Sequence, residues 1–264
     1  WLLYAWCRAC DDIADGQDHG GEMHPTDAEA LERAARIRTL TDLAFAGQPT
    51  GEPAFDCLAV LNAECPIPRR FADALIEGFD RDAAGWRPRS EADLFSYCWN
   101  VAGAVGCMMA VVMGVDPADE DTLDRACDLG LAFQLANIAR DVAEDAAADR
   151  CYLPMEWLVE MDIPPGMHMH PAFRSRLAVM AKWLAEFVDL YEASAASAQR
   201  ACRSARAGRY CQPRASMARL RTRCVNAGSM PGIIVSPHRA RRNWVSWRAP
   251  LPEASCHPGT RTLR

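Results

Sequence analysis

The chain has 264 residues, half of them apolar, and a formal charge of −6. That length carries one large domain or two small ones around a sizeable core. Ala and Leu dominate and β-branched runs are scarce, which favours helices over strands; the longest apolar run, Val101 to Val115, is fifteen residues, short of the roughly 20 a membrane-spanning helix needs.

Taken in chain order, the sequence opens on "YAWCRACDDIAD", Tyr4 to Asp15. The start at Trp1, inside an apolar helical pattern and without Met, reads as a fragment lacking its own N-terminus; no secretory or transit-like segment is visible. Helical residues turn by about 100° each, so Arg8, Asp11 and Asp15 share a stripe, while Leu3, Trp6, Cys7 and Cys10 offer an opposite flank to packing. Three acids within one turn and a half repel one another. A divalent cation between them relieves the repulsion, and hard oxygen ligands suit Mg²⁺. Taken alone, such a pair is ordinarily a solvated acidic face. Cys7 and Cys10 form C-x-x-C, but no second pair follows, so they read as small residues on a packed helix. All twelve cysteines are expected as reduced thiols.

Ala28 to Leu43 is predicted to be an amphipathic, charge-laced helix. Pro66 and Pro68 precede a helix from Arg69 to Asp82. Glu91 to Met113 is another, with Asp93 in its first turn, and its apolar part reads as a buried helix. Asp119 to Ala148 is long. Pro164 and Pro165 break the chain; His168 and His170 lie in the following Pro- and Met-rich loop, where an exposed pair is expected. Pro171 to Gln199 is helical again. The class is all-α, most naturally an antiparallel bundle.

The long helix carries a second copy of the acid pair. In "QLANIARDVAEDAAADRCYLP", Asp141 and Asp145 repeat the i, i+4 spacing, and Gln134 and Asn137 lie on the same stripe one and two turns earlier. Arg140 sits beside them, and Arg150 and Tyr152 follow the helix. Amides can hydrogen-bond diphosphate oxygens or metal-bound water, and Arg makes forked contacts with phosphate. Two opposed acid pairs bridged by Mg²⁺ would hold a diphosphate that neither helix binds alone. Tyr97, Val101, Ala104, Val105 and Met108 form a further stripe, readable as core packing or as the lining of a tunnel for long apolar tails, with Gly103, Ala104 and Gly106 leaving space.

Charge divides the chain. Residues 1–199 hold 15 Lys and Arg against 34 Asp and Glu, a balance of −19; residues 200–264 hold 14 Arg, no Lys and one acid, Glu253, a balance of +13. Arg without Lys, with Pro and Gly, is what a GC-rich coding sequence yields when read out of frame. This tail is expected to be a frameshift product, poorly packed, in preference to a basic arm for nucleic acid or acidic lipid.

The two acid motifs resemble the aspartate-rich motifs of the squalene and phytoene synthases. "YCWNVAGAVG", Tyr97 to Gly106, is similar to that family's central helix, and "DLGLAFQLANIARD" is most like the bacterial phytoene synthases. The resemblance runs from Trp1 to about Ser197. It implies an all-α isoprenoid-synthase fold over 1–199 with a central cavity. Asp11, Asp15, Asp141 and Asp145 match the metal-binding acids; Arg8, Gln134, Asn137 and Arg140 match positions near the diphosphates. Tyr97 matches a tyrosine of the carbocation steps, and Arg150 and Tyr152 close the second motif. The implied activity is Mg²⁺-dependent (Mn²⁺ as substitute) head-to-head condensation of two geranylgeranyl diphosphates through prephytoene diphosphate to 15-cis-phytoene, in carotenoid biosynthesis, without NADPH. Two alternatives stand beside it: a squalene, dehydrosqualene or presqualene diphosphate synthase using farnesyl diphosphate, and a non-catalytic assembly factor. A prenyl diphosphate is the expected partner, nucleic acid is not, and a cytoplasmic location with peripheral membrane contact is expected.

Overall fold

Apolar residues at i, i+3 and i+4 spacing give helices throughout. The computed structural model describes residues 1–16 and 27–201, with no side-chain detail for 27, 28 and 197–201, and contains no strand among them. The helices are α1 (Leu2–Ala14), α2 (Asp27–Phe45), α3 (Pro53–Glu64), α4 (Arg69–Ala83), α5 (Glu91–Cys98), α6 (Ala104–Val112), α7 (Glu120–Ala147), α8 (Met155–Glu160) and α9 (Arg174–Ala201). Every predicted helix is present. α3 and α8 were not anticipated; α3 starts on a proline at its first turn and buries Phe55, Leu58 and Leu61, with Thr50 tied to Asp56 Oδ1 by its backbone N–H at 2.9 Å and its hydroxyl at 2.7 Å. The expectations for residues 202–264, that the tail is a frameshift product and poorly packed, lie outside the described residues.

Two packed layers hold the site. One core joins α1, α2, α3, α4 and α6 through Trp6, Ile37, Phe55, Leu58, Ile76 and Met108. The other packs α5 and α9 along α7, with α8 set against α5 and α9. Trp157 and Trp183 meet edge to face at 5.3 Å, and Phe95 meets Phe187 at 4.9 Å. Trp157 Nε1 also donates to the buried Glu91 carboxylate at 2.9 Å, which satisfies both polar groups where water is excluded.

The central helix departs from the sequence reading in three ways. First, α5 and α6 are one continuous helical run joined by a π-helical segment, Trp99–Gly103, the kind of bulge that often marks functional positions. Second, Glu91–Val112 is long and apolar enough to cross a membrane. Its packing between α4 and α7 is therefore what identifies it as a core helix; the length of its apolar run is not. Third, the glycines leave no tunnel. A Cβ on Gly106 would sit 2.3 Å from the Ala126 carbonyl oxygen, and one on Gly130 would sit 2.3 Å from that of Ala102. Their missing side chains let the π segment and α6 lie directly on α7. Val101 likewise fills the space above Gly78 of α4, while Ala104 and Met108 are wholly buried in the first core. The Tyr97-to-Met108 stripe is core packing below Tyr97.

Candidate active site

The end of α7 sets the geometry. Asp149 adopts φ +54°, a left-handed conformation tolerated by Asp and Asn better than by most side chains. The Asp149 N–H then reaches the Ala146 carbonyl, and the Arg150 N–H reaches the Asp145 carbonyl at 2.8 Å. This is a Schellman closure. It fixes Arg150 beside Asp145, and Arg87 secures it by donating to the Asp149 carboxylate at 2.9 Å and its carbonyl at 3.0 Å. The following segment runs along the 88–89 backbone, with Met155 N–H on Pro88 O at 3.0 Å and Glu156 N–H on Arg89 O at 3.1 Å. Proline is harmless at 88, because only its carbonyl is used.

From this anchor Arg150 extends to α1 and meets Asp15 at 3.5 Å. The two acid pairs therefore face one neighbourhood, joined by a guanidinium. Burial, Asp15 and Asp12 raise Asp11 to about 6 against the pull of Arg8. Burial, Asp141, Asp82 and Glu144 raise Asp145 to about 6 against the pull of Arg150. Each carboxylate is thus held near others without enough positive charge to balance it. Arg140 neutralises Asp141 at 2.5 Å, and Arg8 turns to Asp12 at 2.6 Å, so those two arginines are engaged within their own helices. Gln134 and Asn137 are half-buried on α7.

Beneath the acids lies a residue the sequence reading passed over. Asp82, near the end of α4, accepts hydrogen bonds from both tyrosines, Tyr97 Oη at 2.8 Å and Tyr152 Oη at 3.0 Å. Trp86, Tyr97 and Tyr152 stack in series, with centroids 5.5 and 4.9 Å apart. Burial raises the Asp82 carboxyl; the two phenols and Arg150 oppose this, and Asp15 adds to it. The same burial, with Asp82 close by, pushes both phenols far up. A signal for Asp82 does exist in the sequence. It continues the apolar stripe Phe71, Leu75, Phe79, all buried, whereas Asp73, Glu77 and Asp80 pair outward with Arg69, Arg81 and Arg38.

One other expectation changes. His168 is buried, not exposed. It lines a small hollow with Asp145, Arg150 and Tyr152, its Nδ1 has no hydrogen-bond partner, and burial and then Arg87 lower its pKa. His170 instead accepts the Ala172 N–H at 3.3 Å and caps the turn before α9. Trp99 packs edge to face on Phe71 at 6.2 Å, which makes it a core residue. Cys7 and Cys10 are free thiols, with burial pushing Cys7 up to about 12, as two packed small residues require.

The donors suit a hard divalent cation. They are carboxylates in i, i+4 pairs whose own repulsion a dication would relieve. Among the described residues no three His, Cys, Asp or Glu side chains enclose a single point. An ion at these pairs would therefore keep part of its water shell, as Mg²⁺ prefers.

The sequence model of the squalene/phytoene synthases matches residues 1–248. The chain belongs to the squalene/phytoene synthase family. It is 47% identical over 191 residues to a phytoene synthase of Pseudescherichia vulneris, covering 72% of this chain and 61% of that protein. It is 41% identical over 195 residues to the 15-cis-phytoene synthase of Pantoea ananas, covering 74% and 62%. A crystal structure of a dehydrosqualene synthase aligns with TM-score 0.62 at 26% identity, over 74% of this chain and 64% of that one. A squalene synthase from Alicyclobacillus acidocaldarius, at 22% identity and TM-score 0.55, shares the fold over 86% of this chain and 79% of that one. The chain thus has the all-α isoprenoid-synthase fold, and it spans under two thirds of the length of these curated relatives.

Proposed function

We propose that this squalene/phytoene synthase family member contributes the diphosphate-binding half of a 15-cis-phytoene synthase, which joins two geranylgeranyl diphosphates head to head. The observation that carries this reading is Arg150. Fixed over Asp145 by the helix closure, it reaches Asp15 of α1, so one cation sits between two carboxylate pairs at a spot that would otherwise repel a phosphate. Identity of 41–47% to proteins named phytoene synthase favours the C20 substrate.

Asp11, Asp15, Asp141 and Asp145 would hold Mg²⁺, which when bound neutralises the leaving diphosphate and eases ionisation. Arg150 binds the diphosphate oxygens as a fork, and Gln134 and Asn137 orient them from α7. A dication held by Asp141 would weaken that acid's pairing with Arg140 and turn the guanidinium toward phosphate, while Arg8, paired with Asp12, stands one helical turn before Asp11 and Asp12. Departure of the first diphosphate leaves an allylic cation, which the second chain's double bond attacks; the cation so formed loses a proton as the ring closes, giving a cyclopropyl diphosphate. A second ionisation, rearrangement and proton loss give phytoene. The Trp86–Tyr97–Tyr152 stack stabilises cations through its ring faces and keeps the reacting carbon from water. No step consumes a reductant. The protein works in the cytoplasm on tails drawn from a membrane surface.

Product analysis tests this. The full-length protein is incubated with Mg²⁺ and the C20 or the C15 diphosphate, without NADPH. A C40 triene from the C20 substrate supports the proposal. Turnover of the C15 substrate alone replaces it with a dehydrosqualene-type activity, and turnover of neither removes it.

A further inference from the structure

Asp82 is a half-buried carboxylate that has one phenol on each of its oxygens. Tyr97 is fixed from the central helix and Tyr152 from the segment after α7, so Asp82 joins three parts of the fold at the level of the acid pairs. Its surroundings are only partly neutralised, since Arg150 favours its charge and Asp15 opposes it. A purely structural link between two tyrosines has no need of an anion here. A neutral side chain would bridge them without the burial cost.

The anion does one thing a neutral bridge cannot. A phenol has a single hydrogen. When that hydrogen is given to Asp82, the phenol oxygen is left with lone pairs as its free face. We propose that Asp82 is a positioning residue of this site: it holds the hydroxyl hydrogens of Tyr97 and Tyr152 inward, so that both oxygens present lone pairs to the prenyl cation. The proposal rests on the prenyl-condensing reading above. Both hydrogen bonds are of ordinary length, 2.8 and 3.0 Å, and the stacked rings, 4.9 Å apart and 19° from parallel, keep both phenol oxygens at the carboxylate. A hydroxyl turned the other way would place a partly positive hydrogen against a carbocation.

Asp82→Asn tests this with little change of shape. The amide oxygen still accepts one phenol hydrogen, but the amide nitrogen donates to the other phenol. That second hydroxyl must then turn its hydrogen outward. The expected result is a kcat lowered about 100-fold, within the range for a group acting on charge in the transition state, with KM within about 2-fold of wild type. The cyclopropyl diphosphate should accumulate, because its ionisation generates a second cation before the same two oxygens. In a Tyr97→Phe, Tyr152→Phe background the same change should cost under about 3-fold, since nothing is left to orient. Equal losses in both backgrounds, or a kcat for Asp82→Asn within about 3-fold of wild type, overturn the proposal. Should Asp82→Asn fail to fold, the single and double Phe variants carry the test: two phenols serving one carboxylate lose activity non-additively, and additive losses overturn it. A wild-type protein that turns over neither substrate removes the functional reading and this proposal together. An active wild type with additive losses removes this proposal alone.

Discussion

Asp145→Asn should stabilise the metal-free protein at neutral and alkaline pH. Burial and the charge of Asp141 lift the Asp145 carboxyl from 3.8 to about 6, so the folded chain holds that proton more tightly than the unfolded chain does. Its contribution to stability is complete below about pH 4 and is lost as pH rises through about 6. A shift of about two units corresponds to ~3 kcal/mol at 1.36 kcal/mol per unit. Asp145 is partly open to solvent, and screening reduces the figure to about 1 kcal/mol. Removing the charge should raise the melting temperature by about 2–4 °C above pH 7 for a domain of this size. The gap should close near pH 4, where wild-type Asp145 is itself neutral. Melting curves of both proteins in chelator, across that pH range, measure it. With Mg²⁺ and inorganic diphosphate the order should reverse, because wild type alone gains the binding term, about 2.7 kcal/mol at a hundredfold excess over Kd. An Asn variant that melts lower than wild type at pH 8 without metal, or a gap that persists at pH 4, would refute the picture of an uncompensated acid pair.

Gly130→Ala places a Cβ 2.3 Å from the Ala102 carbonyl oxygen and should cost about 3 kcal/mol by overpacking, read from the denaturant midpoint. Gly47→Ala, with open space but φ +66°, should cost only about 1 kcal/mol. Arg150→Ala removes an exposed ion pair and should change stability by under about 1 kcal/mol, yet weaken calorimetric binding of inorganic diphosphate with Mg²⁺ by tenfold or more, about 1.4 kcal/mol. Glu91→Ala leaves the indole N–H of the buried Trp157 without its carboxylate acceptor. About 2 kcal/mol should be lost on thermal or chemical unfolding.

What the sequence disclosed and what it withheld divide along the range of the interactions. The acid pairs are local: i, i+4 spacing puts two carboxylates on one face whatever the rest of the chain does, and finding the pattern twice made opposition of two helices the economical reading. The helices other than α3 and α8 were legible for the same reason. Glycine 103, 106 and 130 were not, because a missing side chain leaves room without stating for what. Read beside an apolar stripe, the room resembled space for a prenyl tail; the fold fills it with the backbone of a neighbouring helix, and only tertiary structure distinguishes the two. His168 was misread for a related cause: a proline-rich loop signals irregular backbone, and exposure was inferred from that irregularity although the loop folds back onto α7.

Asp82 shows where a local signal existed and lost to a commoner one. Four acids crowd α4, and a charged helix face is ordinarily solvated. Three of the four do pair outward with arginines. The fourth continues the stripe of Phe71, Leu75 and Phe79 into the interior, where an unpaired carboxylate is costly. An acid on an apolar stripe demands donors from elsewhere, and they come from positions 15 and 70 residues further along the chain. Periodicity therefore points to the inward placement of Asp82 but not to its partners. The two tyrosines it engages are the same two that the motifs had already marked, which places the carboxylate within the site and not merely beside it.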